Sequence, residues 1–320
     1  MLKNFILIAI RNILRNKTIS FINIFGLSVS MSVCLLLILI VADQYAYDEF
    51  HEKESQIHRV ITHRLQEKQY EWKTATTPLL LKDELKEHSG VEKTTTINNR
   101  LSGVAKWKDQ EIPFRGFYSD ENFFDIFSYP LAAGNRENVL DGANSVVISK
   151  ELANKIFGDE NPLNEVIEIE NRGEMVVTGV MDELPGKTHL NFEAIASIKF
   201  YQQYSEADTA DNGFYKDWTN VYSNYTYFTL NNETDPEAIE RHINQATKKH
   251  YEEISNYDYT FYVQHLDNIT PGPLLSNMTG FSLPLIAVYM MLGVAGIVLL
   301  AAAFNYANLT TARAMNRAKE

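Results

Sequence analysis

Hydrophobic positions in this chain gather into two uncharged blocks, 18–41 and 282–304, separated by about 240 residues of mostly polar character. At ~1.5 Å per helical residue, either block can cross the ~30 Å hydrocarbon layer of a bilayer. The pattern predicts two transmembrane helices that hold one large domain, 42–281, outside the membrane. Ahead of the first block, Leu2, Phe5, Ile6, Ala9, Ile10, Ile13 and Leu14 recur at spacings of three and four, while Lys3, Arg11 and Arg15 fall elsewhere. That stripe predicts an amphipathic helix over 1–17 suited to a membrane surface. Within the blocks, Gly26 and Ser30, Ser28 and Ser32, and the run Gly293, Ala295 and Gly296 offer small faces for close helix packing.

Between the blocks the period changes. Runs at 57–65, 91–98, 101–107, 112–118 and 145–148 read as strands, and 166–170 with 175–181 as a hairpin turning at Asn171 and Gly173. Pro78 after Thr76 and Thr77 opens an expected helix over 78–88. Asp120 is placed to cap a short helix in 120–127, and Ser149 to cap one that stops at Gly158. Segment 201–220 reads as a loop. The strand–helix–strand order of 57–98 returns at 224–265, with Asp235 capping the second helix. The expected fold is an α+β extracytoplasmic domain of two lobes, β-α-β halves with an inserted α/β lobe over about 116–195, between the two transmembrane helices.

Charge orients this plan. The first 18 residues carry Lys3, Arg11, Arg15 and Lys17 and no acid; the last 16 carry Arg313, Arg317 and Lys319 against Glu320. Subtracting these from 29 bases and 41 acids leaves 22 bases against 40 acids between the spans, a net charge of −18. Basic residues beside span ends mark the cytoplasmic side, so both tails, 1–17 and 305–320, are expected inside and the acidic domain outside. The acidity argues against nucleic acid as a partner. The single cysteine, Cys34, lies in the first block, so the outer domain has no disulfide and depends on a packed core. That block is too long for an ordinary signal-peptide core, and no clean A-x-A site follows it.

Catalytic signatures fail on spacing. Gly186-Lys187-Thr188 suggests a phosphate-binding loop, but Met181 stands where the required upstream glycine would be. His51, His58 and His63 are seven and five residues apart, a poor metal-ligating set, and read as solvated. Asp182-Glu183 reads as surface charge. No catalytic residue, metal ligand or cofactor is expected.

Several runs resemble one family. NILRNK before FINIFGL, then YDEFHEKESQIHRV, look like its opening. DENFFDIFSYPLAAG is similar to its D-x-x-F-F-x-x-F-x-x-P-L-x-x-G. NSVVISKELANKIFGDENPLN and VVTGVMDELPGKTHLNF are similar to its S-V-V-L-S and V-T-G-V…H-L-x-F runs, and FNYANLTTARAMNRAKE to the start of its coupling segment. The family is the FtsX-like, MacB-type permeases of ABC transporters. Ser89, Asn164 and Thr188 depart from its usual Pro, Gly and Ser, which touches turns only.

The resemblance implies an inner-membrane permease, with further spans beyond Glu320 and a second copy or homologue as dimer partner. It also implies a cytoplasmic ABC ATPase that does the hydrolysis, and in some members a periplasmic adaptor or outer-membrane partner. Members export substrates, extract lipoproteins or activate cell-wall hydrolases, and the outer domain acts as a lever. Arg313, Arg317 and Glu320 fall in the segment expected to meet the ATPase. The competing plans are a span–sensor–span signalling receptor and a membrane-tethered enzyme. A receptor should leave the second span through heptad-type helix, where this chain has an Asn- and Thr-rich exit. The enzyme lacks a site.

Overall fold

A computed structural model describes residues 11, 14, 17–67, 69–207, 213–252, 254 and 256–317. The expected amphipathic helix therefore lies almost wholly outside the described residues, as does Glu320. In chain order the elements are α1 (Lys17–Tyr45), β1 (Ile57–Gln66), β2 (Tyr70–Thr74), α2 (Leu81–Lys86), β3 (Val91–Asn98), β4 (Gly103–Trp107), β5 (Gln110–Phe114), β6 (Gly116–Ser119), α3 (Phe123–Ile126), β7 (Leu131–Ala133), β8 (Ser145–Ser149), α4 (Lys150–Phe157), β9 (Val166–Ile169), β10 (Gly173–Met181), β11 (Ala194–Ser197), α5 (Ile198–Ala207), β12 (Asn224–Leu230), α6 (Pro236–Tyr251), β13 (Tyr257–His265) and α7 (Leu285–Arg317). They divide into two compact units, 1–45 with 283–320, and 46–282.

In the first unit α1 and α7 pack on each other. Cys34 Sγ lies 3.5 Å from the Ala295 carbonyl, and a Cβ at Gly26 would lie 3.9 Å from Asn305 Nδ2. Those pairings run in opposite directions along the two helices, so the pair is antiparallel. Windows Ser20–Tyr45 and Leu285–Asn308 are long and apolar enough to cross a membrane, and large side chains such as Phe21 and Ile297 stand exposed on them. Such exposure suits lipid rather than water.

The 46–282 unit is built on one sheet, ordered β13-β1-β12-β3-β6-β11-β8-β10-β9-β4-β5, with β2 added to β1 and β7 to β10. Pairing is antiparallel except β6–β11 and β8–β10. Strand alternation assigns the faces. Val60 of β1 and Phe228 and Leu230 of β12 pack with Leu81, Leu85, Ile239 and Ile243 of α2 and α6. Ile57 and Ile61 of β1 and Tyr225 and Tyr227 of β12 turn the other way, into a cluster with Phe123, Phe124 and Phe127. A third cluster joins Leu152 and Ile156 of α4 to strands β4, β8, β9 and β10. Edge strand β5 pairs only with β4, Val104 opposite Pro113, and Lys106 reaches Glu111 at 3.1 Å.

Local signals account for most element ends. The Ser149 hydroxyl accepts the Leu152 N–H at 3.1 Å, and Gly158 ends α4 at φ 60°. Asp235 caps α6 through the Glu237 N–H at 3.0 Å. The β9–β10 hairpin turns on Asn171 at φ 61° and Gly173 at φ 125°.

Other expectations change. The helix expected over 78–88 shrinks to Leu81–Lys86, because Thr77 joins the sheet: its N–H donates to the Asn224 carbonyl at 2.8 Å, and its hydroxyl meets that of Thr226 at 2.7 Å. Asp120 caps the turn that opens α3, its Oδ1 accepting the Asn122 N–H at 3.2 Å, although the regular helix starts later, with Asn122 at the cap position. Its buried carboxylate also accepts Thr95 Oγ1 at 2.8 Å, Lys82 Nζ at 2.9 Å and the Thr96 N–H at 3.1 Å, stitching β3 to the loop after β6. The run 112–118 breaks into β5 and β6, and the segment read as a loop from 201 begins inside α5.

With three buried clusters of its own, residues 46–282 should fold without α1 and α7. Expressed alone, they are expected to be soluble and to melt in one cooperative transition. A chain that stays unfolded until lipid is added would contradict this.

Candidate functional site

A buried polar array in the 46–282 unit is centred on Asp48, three positions after the end of α1 in the chain. Asp48 adopts φ 64°, a left-handed conformation that Asp tolerates better than most residues. The turn donates its N–H to the Lys187 carbonyl at 2.7 Å and points the carboxylate inward. There Oδ2 takes His189 Nδ1 at 2.6 Å, and both oxygens lie 3.3 Å from the His189 N–H. His189 Nε2 faces the Tyr227 hydroxyl on β12 at 2.7 Å. All three side chains are within 2 % of full burial.

His51 completes the array. The Ser128 N–H donates to its Nδ1 at 3.1 Å, which leaves the ring proton on Nε2, 3.5 Å from Asp48 Oδ1. At that distance the contact is electrostatic rather than a full hydrogen bond, and Nε2 otherwise has no partner. On the far side of Tyr227 lies Arg59, fully buried, with Nε donating to Gln264 Oε1 at 2.7 Å and no carboxylate paired with it among the described residues.

The electrostatics follow from this geometry. Burial alone would raise the Asp48 carboxyl; the interaction with His189, helped by His51 and Thr188, outweighs it and holds the group well below the usual carboxylate range. Burial lowers His51 in spite of Asp48, and lowers His58 in spite of the Gln56 carbonyl. The expectation of solvated histidines is therefore wrong for these two: His51 and His58 are buried, and His63 is half-buried. Burial raises the Tyr227 phenol against the pull of Arg59.

A second segment reaches the same residue. Thr279, six positions before α7 in the chain, donates its hydroxyl to the His189 carbonyl at 3.1 Å. Gly280 passes so close that a Cβ there would lie 2.7 Å from that oxygen. Ser276 anchors the segment upstream, accepting the Ala75 N–H at 3.0 Å and the Trp72 indole N–H at 2.9 Å. His189 is thus held from both sides, by the chain that follows α1 and by the chain that precedes α7.

An Asp–His–Tyr chain has the members of a proton relay, but its atoms are sealed and both His189 nitrogens are occupied. It has no face for a substrate. Its chemistry is that of a clamp, in which satisfied buried polar groups fix one geometry. Among the described residues, no group of three His, Cys, Asp or Glu side chains could hold a metal. The residues singled out earlier lie elsewhere. Ser30 Oγ bonds back to the Gly26 carbonyl at 2.8 Å within α1, and a Cβ at Gly293 or Gly296 would meet nothing within 4 Å. Arg313 and Arg317 lie on α7, and Glu320 is outside the described residues.

No curated protein matches the chain. Among solved structures, a domain of a protein described as a permease from Porphyromonas gingivalis shares the fold with TM-score 0.58 at 17% identity, covering 75% of this chain and 98% of that one. The periplasmic region of MacB from Actinobacillus actinomycetemcomitans aligns with TM-score 0.45 at 14% identity, covering 66% and 90%. The extracellular domain of the ABC-type transporter YknZ from Gram-positive bacteria aligns with TM-score 0.42 at 15% identity, covering 64% and 99%. Residues 20–246, well over half the chain, match the profile of the MacB-like periplasmic core domain. Both halves of the clamp fall in that match, in the Y-D-E-F-H run and the T-H-L run, and the chain belongs to the MacB-like family of ABC transporter permeases.

Proposed function

We propose that this permease carries the motion of a cytoplasmic ABC ATPase through α1 and α7 to the 46–282 domain, and so drives export or extraction of a substrate on the periplasmic side. The observation that carries the reading is the double hold on His189 by Asp48 and Thr279. Displacement of either flanking segment is felt at one loop and, through Tyr227, on a central strand. Coupling of this kind travels through contiguous packed and hydrogen-bonded groups and needs no catalytic residue.

In this reading the basic tails are cytoplasmic, residues 1–17 lie on the inner membrane surface, and 116–195 form the inserted lobe of the domain. Gly293 and Gly296, open on α7, and the Gly26–Ser30 face of α1 serve packing against further helices, including those of a second copy. A periplasmic adaptor or outer-membrane protein meets the domain. ATP hydrolysis belongs to the partner ATPase. Arg313 and Arg317, four positions apart on α7, are the residues offered to its carboxylates, with Glu320 following in the sequence.

The test is Arg313→Glu with Arg317→Glu in the full-length permease. Lys3, Arg11, Arg15 and Lys17 still hold the orientation, so insertion should survive while ATPase co-purification and nucleotide-dependent changes in protease sensitivity of the domain are lost. Normal association and normal nucleotide response in a correctly inserted variant would overturn the coupling role.

A further inference from the structure

A second concave site lies away from the clamp, where the β3–β4 turn, the β9–β10 turn, α5 and the segment before β12 converge. It is a cleft of about 260 Å³ lined by Arg100, Arg172, Tyr201, Tyr204, Phe214 and Asn220. The domain around it is strongly acidic, yet neither arginine pairs with a carboxylate among the described residues. Both are held in place by neutral groups: Arg100 Nε donates to Ser223 Oγ at 2.9 Å, and one Arg172 Nη to the Tyr118 hydroxyl at 3.4 Å. Each keeps further guanidinium donors free for an oxyanion.

The rim specifies what else a ligand must carry. Asn220 is buried, and its amide nitrogen donates to the Phe214 carbonyl at 3.1 Å, which fixes the segment that presents Phe214. Tyr204 and Phe214 expose their rings at the rim, and Arg172 lies 5.7 Å over the Tyr204 ring. Flat exposed rings beside a bidentate cation suit a compact ring-shaped body. The cleft is below the ~300–1,000 Å³ of drug-sized sites, so it accommodates a single sugar-sized group.

We propose that this cleft binds an acidic sugar. The arginines take its phosphate or carboxylate, and Tyr204 and Phe214 flank its ring. The cleft lies within the 46–282 unit, so its occupancy stands or falls apart from ATPase coupling.

The probes are glucose 1-phosphate and glucuronate, titrated calorimetrically into the full chain in detergent, with glucose and inorganic phosphate as half-ligands. Saturable binding of at least one acidic sugar is expected, and which one binds distinguishes a phosphate from a carboxylate ligand. Each half-ligand should bind at least tenfold more weakly. Arg100→Gln and Arg172→Gln should each weaken binding about tenfold or more, since a charge-assisted hydrogen bond contributes ~1.5–3 kcal/mol and 1.4 kcal/mol is tenfold. Tyr204→Ala, which removes a partly exposed rim ring, should weaken it too. No saturable binding of either acidic sugar, equal binding of inorganic phosphate alone, or unchanged affinity in the double Arg→Gln variant would each overturn the assignment.

Discussion

Replacing Asp48 with Ala is expected to destabilise the 46–282 domain by about 3–5 kcal/mol, the usual cost of removing one partner from a buried ionic pair. The change strands the His189 Nδ1–H and backbone N–H together, and both are sealed from water. For a domain of this size that is a fall in melting temperature of roughly 6–20 °C. Asp48→Asn should lose less, since an amide oxygen can still accept from the ring.

The pH response separates charge from shape. The Asp48 carboxyl is held below its unfolded value, so its contribution is fully present above about pH 4 and is lost as pH falls through the folded value. The Asn variant should lack that acid limb. His51 and His58 are also depressed from 6.5, so the unfolded chain takes up their protons first. Stability should therefore decline already as pH drops below about 6.5, and His51→Gln with His58→Gln should flatten that decline. Urea midpoints at pH 7.5, 5.5 and 2.5 would read both limbs. A wild-type midpoint constant from 7.5 to 5.5 would contradict the histidine assignment, and a small loss in Asp48→Ala would contradict the clamp.

Phe127→Ala should cost a comparable ~3–5 kcal/mol, by a different route. The ring is fully buried at the centre of an aromatic group, with centroids 5.1 Å from Phe123, 5.2 Å from Tyr227 and 5.3 Å from His51. Removing it opens a cavity beneath two members of the clamp, so the loss is expected to be non-additive with Asp48→Ala. Phe127→Leu should recover much of it. Additive losses in the double variant would mean that the aromatic group and the clamp are independent. Denaturant midpoints of the two single variants and the double variant decide this.

The clamp shows where sequence reading succeeds and where it stops. Strands such as β12 and capped helices such as α4 and α6 were legible, because alternation, Ser149, Asp235 and Gly158 act over a few residues. His189 and Asp48 are 141 residues apart, and no local period links them. Their signal was present only as family runs, Y-D-E-F-H and T-H-L, with no indication that the two meet. The histidines were misread for the same reason: a polar side chain is assumed wet until a distant partner is known. Thr77 was misread because a threonine before proline suits a helix start locally, while pairing with Asn224 is a tertiary matter. The cleft arginines, one in each of two separate turns, left no pattern at all.

Pro113 closes one margin of the great sheet. Lacking an N–H, it interrupts the row of donors that an incoming strand would need, and the charged Glu111 stands beside it. Growth by adding strands is blocked along that side. A protein that approaches the domain there must be recognised by side chains, and two such domains crowded together in a membrane will not zip into a continuous ribbon across it.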